Sequence, residues 1–374
     1  MRADALRLVG SAQTNRAMEA ELIRVAHRHL GRRPPAPRRD GTGQLAFPWD
    51  AELAQAALTY HRTSTRVVRD LYESSARRLE PLYDELRADV GADDRDWLRG
   101  ARTVSVEVRR MAEFAAGERQ VVGTVKNAIF DGARARGVAL EIDPDRPDLL
   151  VVARQDDRGH VVVGLDLSLG TRTRRGWRKD AGEAPLREHL AAVMAIEARY
   201  DARRDLLVDP MCGAGTIAIE VALAAGGAAV VGTAPPLWPD AKPIVIAGDR
   251  DLGVLASARD NAKRAGVDVI FHRGDFAALG RDRILALAAD AGDVPPGGLV
   301  LCNPPWGERL ELEDARLLYG AFYDWWRSLG DFRCGVLCAH PALEQVFGQR
   351  YKVKKPLSAS SNLRSYFYLY EPTG

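Results

Sequence analysis

Asp209-Pro-Met-Cys-Gly-Ala-Gly-Thr216 lies between two segments of opposite character. Before it, Leu206-Leu-Val208 is a short apolar run of the kind that forms a buried strand. After it, Ile217-Ala-Ile-Glu-Val-Ala-Leu-Ala-Ala225 is rich in helix formers. Strand, tight glycine turn and helix make the first unit of a doubly wound α/β sheet. Gly213 and Gly215 give the turn its backbone freedom and leave room for a ligand against it.

Gly213-Ala-Gly-Thr-Ile-Ala218 formally satisfies the dinucleotide fingerprint, which also expects an acid about 20 residues on to hold a ribose. Nothing between Glu220 and Pro239 supplies one, and Asp209 at the strand tip would repel a pyrophosphate. A carboxylate there suits a ligand with a positive amino group, such as the methionine end of S-adenosylmethionine. The charges therefore disfavour an NAD-dependent dehydrogenase, the first competing function class.

The βα rhythm continues outward from this corner. Pro243-Ile-Val-Ile-Ala-Gly-Asp249 is expected as the second strand, its terminal Asp249 placed to accept ribose hydroxyls. Asp251 reads as a helix-start residue. The third strand, Asp268–His272, runs into Arg273-Gly-Asp-Phe276, where Asp275 is expected at an adenine amino group and Phe276 on the ring. The fourth, Gly298–Cys302, leads to Asn303-Pro-Pro-Trp-Gly-Glu-Arg309. Further strands are expected at Phe332–Cys338, Tyr351–Lys354 and Leu363–Tyr370.

The fourth corner carries the chemistry. An exocyclic amino group on a base is a poor nucleophile because its lone pair is delocalised into the ring. The Asn303 side-chain oxygen and the Pro304 carbonyl can accept its two hydrogens and turn the lone pair toward a methyl donor. Pro304 and Pro305 fix the backbone direction, and Trp306 offers a flat face for an unstacked base. Transfer by in-line attack then needs orientation above all. No metal is expected.

The 374 residues are 46% apolar and 28% charged, an ordinary globular composition with room for several cores. No run approaches the 18 apolar residues of a membrane span, and the N-terminus lacks a signal-peptide core, so a cytoplasmic protein is expected. Cys212, Cys302, Cys334 and Cys338 follow no metal spacing, and Cys334 and Cys338, in an apolar run, read as buried thiols. With a net charge of +2, any nucleic-acid site must come from local clusters.

Upstream, residues 1–60 read as a small α+β segment with helices near 16–30 and 50–60 and a proline-broken arginine loop at Arg32–Arg39. Residues 61–168 carry a second α+β pattern. Its clearest strand is Arg102-Thr-Val-Ser-Val-Glu-Val-Arg109, and a hairpin follows around Asp156-Asp-Arg-Gly159. Residues 169–200 form a connector whose Arg172, Arg174, Arg175, Arg178 and Lys179 are candidates for phosphate contacts, weighed against a solvated linker. Residues 201–374 complete the catalytic domain.

Several stretches together give a family resemblance. Leu165-Asp-Leu-Ser168, Arg174-Arg-Gly-Trp-Arg-Lys-Asp-Ala-Gly-Glu-Ala-Pro-Leu186 and Asn303-Pro-Pro-Trp-Gly-Glu-Arg-Leu310 resemble the THUMP-domain guanine-N2 RNA methyltransferases. Arg62-Thr-Ser-Thr-Arg-Val-Val68 and Asp143–Val152 look like their THUMP region. The likeness implies a ferredoxin-like/THUMP front end that binds RNA. It also implies a Rossmann-like class I methyltransferase domain with a mostly parallel seven-stranded sheet closed by a reversed hairpin. The connector, with Pro185, would lie near the cofactor. Arg309 is a candidate for RNA contact, weighed equally against a salt bridge with Glu308 that stiffens the loop. Trp306 stands where the family often has Tyr or Phe.

The resulting expectation is S-adenosylmethionine-dependent transfer to guanosine N2 in structured RNA, with large-subunit (23S) rRNA slightly ahead of tRNA. The cofactor set is Asp209, Pro210, Met211, Cys212, Gly213, Ala214, Gly215, Thr216, Asp249, Asp275, Phe276 and Pro185; the catalytic set is Asn303, Pro304, Pro305 and Trp306. No membrane partner is expected, and a monomer is allowed. A third class, a non-catalytic RNA-binding assembly factor, is disfavoured by the intact cofactor and Asn-Pro-Pro-Trp motifs.

Overall fold

The computed structural model describes residues 2–92, 96–111, 113–179, 186–306, 311–359 and 363–372. It divides into two compact units. The first comprises Met1–Gly10, Leu30–Leu58 and Ser64–Arg172; the second comprises Ser11–His29, Thr59–Thr63 and Thr173–Gly374.

The first unit is built on strands β1 (Arg2–Val9), β2 (Arg38–Arg39), β3 (Gln44–Pro48), β4 (Arg66–Ser74), β5 (Thr103–Arg109), β6 (Glu141–Ile142), β7 (Leu149–Gln155) and β8 (Val161–Asp166). Among the described residues they form one sheet in the order β2-β3-β1-β4-β8-β7-β5-β6. Residues 1–172 also hold helices α1 (Asn15–Leu30), α2 (Ala51–Tyr60), α3 (Leu79–Val90) and α4 (Glu118–Ala135). Leu82, Leu86, Val90, Val121, Val125 and Ile129 close the core of α3 and α4 over β7 and β8.

This sheet corrects the expected boundary at residue 60. β1 pairs antiparallel with β3 on one side and with β4 on the other, Leu6 lying opposite both Phe47 and Arg69. Residues 1–60 and 61–168 therefore share one sheet and are not two domains. The expected segments also miss the fate of α1, which belongs to the second unit. Its Ala17 is fully buried in a core with Leu190, Val193, Met194 and Val221. Pairings and packings over such sequence distances leave no local pattern to read.

The second unit continues with α5 (Glu188–Glu197), β9 (Asp205–Asp209), α6 (Thr216–Gly226), β10 (Val245–Asp249), α7 (Leu252–Ala265), β11 (Ile270–Arg273), α8 (Arg281–Ala291) and β12 (Gly297–Cys302). After these come α9 (Leu312–Ser328), β13 (Phe332–Cys338), α10 (Ala342–Phe347), β14 (Val353–Pro356) and β15 (Tyr366–Tyr370). Among the described residues the sheet has seven strands in the order β11-β10-β9-β12-β13-β15-β14. Among the described strands β15 alone runs opposite to the other six, so the reversed hairpin closes the sheet as expected.

Alternation along each strand divides the core into two layers. Leu206, Val208, Val300 and Cys302 face α8, α9 and α10, where Tyr319, Phe322, Trp325 and Trp326 are buried. Leu207, Leu299 and Leu301 face the other way, toward α5, α6 and α7. Strands buried on both faces read as continuous apolar runs, which is why Leu206–Val208 and Leu299–Cys302 stand out in the sequence. Each fully buried Leu, Val or Phe in these layers contributes about 1.5–3 kcal/mol of transfer free energy.

Candidate active site

In a parallel sheet every strand ends on the same edge, and ligands bind where the strand order reverses. Here that point lies between β9 and β12, paired in register from Gly297–Asp205 to Val300–Val208. The turn after β9 begins at Asp209 and the loop after β12 begins at Asn303, so the sheet brings these two corners side by side. β10 lies on the other side of β9, with Ala247 opposite Asp209, and brings Asp249 to the same edge.

The turn itself is held by backbone bonds. The Cys212 N–H donates to the Gly248 carbonyl at 2.9 Å, and the Gly213 N–H donates to Asp249 Oδ2 at 2.9 Å. Gly213 and Gly215 take φ of 51° and 82°. The two glycines serve different ends. A Cβ on Gly213 would point into open space, whereas one on Gly215 would press to 3.2 Å on Ala258 of α7 and on Ile219. Gly213 leaves a clear side for a ligand, and Gly215 lets the helices pack. Asn261, fully buried on α7, donates to the Ala214 carbonyl at 3.0 Å and fastens the turn from behind. Pro210 and Cys212 are buried, while Met211 and Ala214 are half-exposed.

Asp209 is the electrostatic centre. It is 1% exposed, and neither carboxylate oxygen has a well-formed hydrogen bond among the described residues; the Met211 amide leans toward it. Burial pushes its carboxyl well above the usual range, and the nearby Asp249 charge pushes it further. A buried, unneutralised carboxylate is costly unless a cation meets it. An α-ammonium group would supply that cation, whereas a pyrophosphate would add a third negative charge beside Asp209 and Asp249. The site therefore fits the methionine end of S-adenosylmethionine and does not fit NAD.

The remaining cofactor candidates are less uniform. Asp249 receives one backbone N–H on each oxygen, from Gly213 at 2.9 Å and from Asp251 at 3.0 Å, which orients its free lone pairs. Asp251 caps α7 by accepting the Val254 N–H at 3.0 Å, in line with a helix-start role. Asp275 is exposed and caps a short 3-10 turn through the Ala277 N–H at 2.9 Å. Phe276 is not where the sequence suggests. Its ring is 6% exposed and meets Phe322 and Trp325 edge-on, with centroids 5.8 and 5.6 Å away. That ring belongs to the core beneath α9 and has no free face for an adenine. Pro185 lies outside the described residues.

The loop after β12 is braced twice. Trp306 Nε1 donates to Asn303 Oδ1 at 2.9 Å, and Tyr319 on α9 donates its hydroxyl to the Pro305 carbonyl at 2.8 Å. Pro304 is buried, Pro305 exposed, and Trp306 half-buried against the aromatic core. Tyr319 is fully buried, and its ionisation is strongly suppressed by burial and by the adjacent Cys338 thiol. Sequence reasoning passes over Tyr319 and Asn261 because each sits in an ordinary helical core pattern. Ala315, Tyr319, Phe322 and Trp326 recur at helical spacing, a stripe that announces packing only. Arg309 lies outside the described residues.

The basic connector requires a correction. Arg172 is 5% exposed and donates to the Ala57 and Leu58 carbonyls at 3.2 and 2.7 Å. The Arg175 side chain is 2% exposed, pairs with the fully buried Glu220 of α6 at 3.5 Å and donates to the Arg62 carbonyl. Arg178 pairs with Glu188 at 3.5 Å and donates to Thr216 Oγ1 at 2.7 Å and to the Leu186 carbonyl at 3.0 Å. These three guanidiniums hold protein groups and are not available to phosphates. Arg174 and Lys179 are exposed and keep that possibility. Burial lowers the Arg178 pKa and raises that of Glu188, so desolvation outweighs the attraction within that pair. Through Thr216 and Glu220 the network braces α6, the helix that follows the glycine turn.

Elsewhere, all four cysteines are buried free thiols. In the first unit Glu73, Asp156 and His160 come within metal-binding range of one another, but Arg158 already bonds both carboxylates, at 2.6 and 2.8 Å. Among the described residues no helix is long and apolar enough to cross a membrane.

A seven-stranded, mostly parallel sheet with an acidic glycine corner and an Asn-Pro-Pro-aromatic corner at its switch point defines a class I methyltransferase domain. Residues 175–361 match the family model described as UPF0020, RMKL-like, methyltransferase domain, and the chain belongs to that family. It is 31% identical over 341 residues to a ribosomal RNA large subunit methyltransferase K/L of Syntrophotalea carbinolica, covering 82% of this chain and 46% of that protein. The chain thus spans less than half the length of that curated relative. Among solved structures, a putative methyltransferase complexed with SAH is similar with TM-score 0.76 and 21% identity, over 100% of this chain and 99% of that one. TrmN from Thermus thermophilus gives 0.73 and 22%, over 99% and 100%. At those identities the likeness is one of fold.

Proposed function

We propose that this chain transfers a methyl group from S-adenosylmethionine to the exocyclic N2 amine of a guanosine in structured RNA, with large-subunit rRNA as the substrate. The observation that carries the proposal is the pairing of the two corners at the switch point. A buried carboxylate short of donors, Asp209, stands beside a braced loop of hydrogen-bond acceptors, Asn303 and Pro304. Relatedness to a protein named for large-subunit rRNA methylation supports the substrate class.

Asp209 would hold the ligand's ammonium group, with Asp249 at the ribose and Asp275 at the adenine edge. The cofactor supplies an electrophilic sulfonium methyl. Asn303 Oδ1 and the Pro304 carbonyl accept the two amine hydrogens, which localises the lone pair on nitrogen and directs it at the methyl carbon. The Trp306 face supports the base. Formation of the N–C bond as the S–CH3 bond breaks, with S-adenosylhomocysteine as leaving group, would make the amine nitrogen positive and strengthen its bonds to both acceptors, which is differential binding of the transition state. One amine proton then leaves to solvent or RNA. Arg174, Lys179 and Arg309 are the connector and loop cations proposed to meet RNA, and a cytoplasmic setting belongs to the same proposal.

The test is Asn303→Ala in a transfer assay with labelled S-adenosylmethionine and rRNA. Transfer should fall by at least about 100-fold, as for loss of a key transition-state acceptor. RNA and cofactor binding should survive. Undiminished transfer would end the proposed amine geometry.

A further inference from the structure

The bond between Trp306 and Asn303 is more than an aromatic face alone requires. An amide side chain has two ends of nearly equal size and opposite chemistry, a C=O acceptor and an NH2 donor. If Asn303 presented its NH2 end to an incoming amine, two donors would meet and the lone pair would not be directed. Something must set the amide's orientation before the base arrives.

Trp306 Nε1 can only donate, and it lies 2.9 Å from Asn303 Oδ1, within ordinary hydrogen-bond range. It can therefore engage the oxygen end and no other. The sp2 oxygen keeps a second lone pair for a substrate hydrogen. The indole is itself held, half-buried against the aromatic core, and the preceding Pro305 carbonyl is anchored at 2.8 Å by the fully buried Tyr319. The donor thus belongs to a fixed frame.

We infer that Trp306 is a positioning residue for Asn303: its indole N–H selects the rotamer in which the amide oxygen faces the reacting amine. This rests on the function proposed above and adds a role that a Phe at this position could not fill. A Phe offers the base the same kind of flat face and has no donor.

Two variants and one spectroscopic reading test it in the full-length protein. Trp306→Phe keeps the face and removes the donor; benzothienylalanine incorporated at position 306 keeps the full bicyclic shape and removes only the N–H. In single-turnover transfer at saturating rRNA and S-adenosylmethionine, each should lose about tenfold in rate, the scale of one neutral hydrogen bond. The dissociation constants for RNA and cofactor should stay within about twofold, because stacking and cofactor groups are retained. In an Asn303→Ala background the same changes should cost nothing further, since the group they position is gone.

Parent-like rates in both variants would overturn the inference. So would an equal loss in the Asn303→Ala background, or a loss confined to RNA affinity. Independently of turnover, the 15N-indole resonance of Trp306 should show slowed proton exchange that Asn303→Ala abolishes. If the parent methylates no RNA, the proposed function fails, and this resonance still decides whether the bond exists. An unprotected indole would sink the inference even in an active enzyme.

Discussion

Replacing Asp209 by Asn separates the cost of the site from its use. In the ligand-free fold Asp209 is a 1%-exposed carboxylate without a well-formed hydrogen bond and near a second acid. Its folded pKa lies above its unfolded value, so the folded state holds the proton more tightly. Stability attributable to this group is therefore present below the ordinary carboxylate range and is lost as pH rises through that range toward the raised folded pKa. Asn keeps the shape and removes the charge. The amide stays buried and polar, so what is relieved is the extra desolvation cost of the charged form, about 1–3 kcal/mol. For a unit of this size that is roughly 2–12 °C in Tm, at about 2–4 °C per kcal/mol. In the role proposed for Asp209, the same change also deletes a charge-assisted bond to the ligand's ammonium, worth about 1.5–3 kcal/mol, or roughly 10- to 100-fold in Kd. Scanning calorimetry and isothermal titration with S-adenosylmethionine read the two arms, and the gain in Tm should be larger near pH 8 than near pH 5. An Asp209→Asn protein that is less stable than the parent and binds the cofactor equally well would refute the reasoning.

Other expectations concern the buried polar network. Glu220→Ala leaves Arg62 and Arg175 buried without their shared carboxylate. It should cost about 3–5 kcal/mol in urea unfolding, and an effect below about 1 kcal/mol would show that the pairs are dispensable. Burial alone would raise the Glu21 pKa, but His61, the Thr63 hydroxyl and the Arg62 and Thr63 amides outweigh it, and the net shift is downward. Its contribution is therefore present above the unfolded pKa of about 4.3 and lost as pH falls through the depressed folded value. Glu21→Gln should flatten the acid limb of a stability-versus-pH profile while lowering stability at neutral pH; an unchanged acid limb would contradict that assignment.

What the sequence reveals and what it conceals follow from distance along the chain. Each corner of the second sheet is legible because the apolar strand and the chemistry at its tip are contiguous: Val208 to Asp209, Ala247 to Asp249, Cys302 to Asn303. The fate of the connector is not, because the counter-ions of Arg175 and Arg178 are Glu220 and Glu188, on helices that follow a gap in the basic pattern. A dense run of basic residues looks like a phosphate site even when three of its arginines, Arg172, Arg175 and Arg178, are committed to protein groups. Phe276 misleads for a similar reason. Its position after Gly274-Asp275 suits an adenine, but its ring is buried against Phe322 and Trp325 of α9. The unity of the first sheet is likewise hidden, since β1 finds its partners roughly 40 and 60 residues away.

The measurement that tests the central claim most directly supplies labelled S-adenosylmethionine to the purified protein with separated rRNA and tRNA from cells lacking its gene. The modified nucleoside is then identified by mass spectrometry. Label as N2-methylguanosine in the large-subunit rRNA fraction is the predicted result. Label in tRNA alone would transfer the reaction to another RNA, and failure to bind S-adenosylmethionine at all would contradict the account.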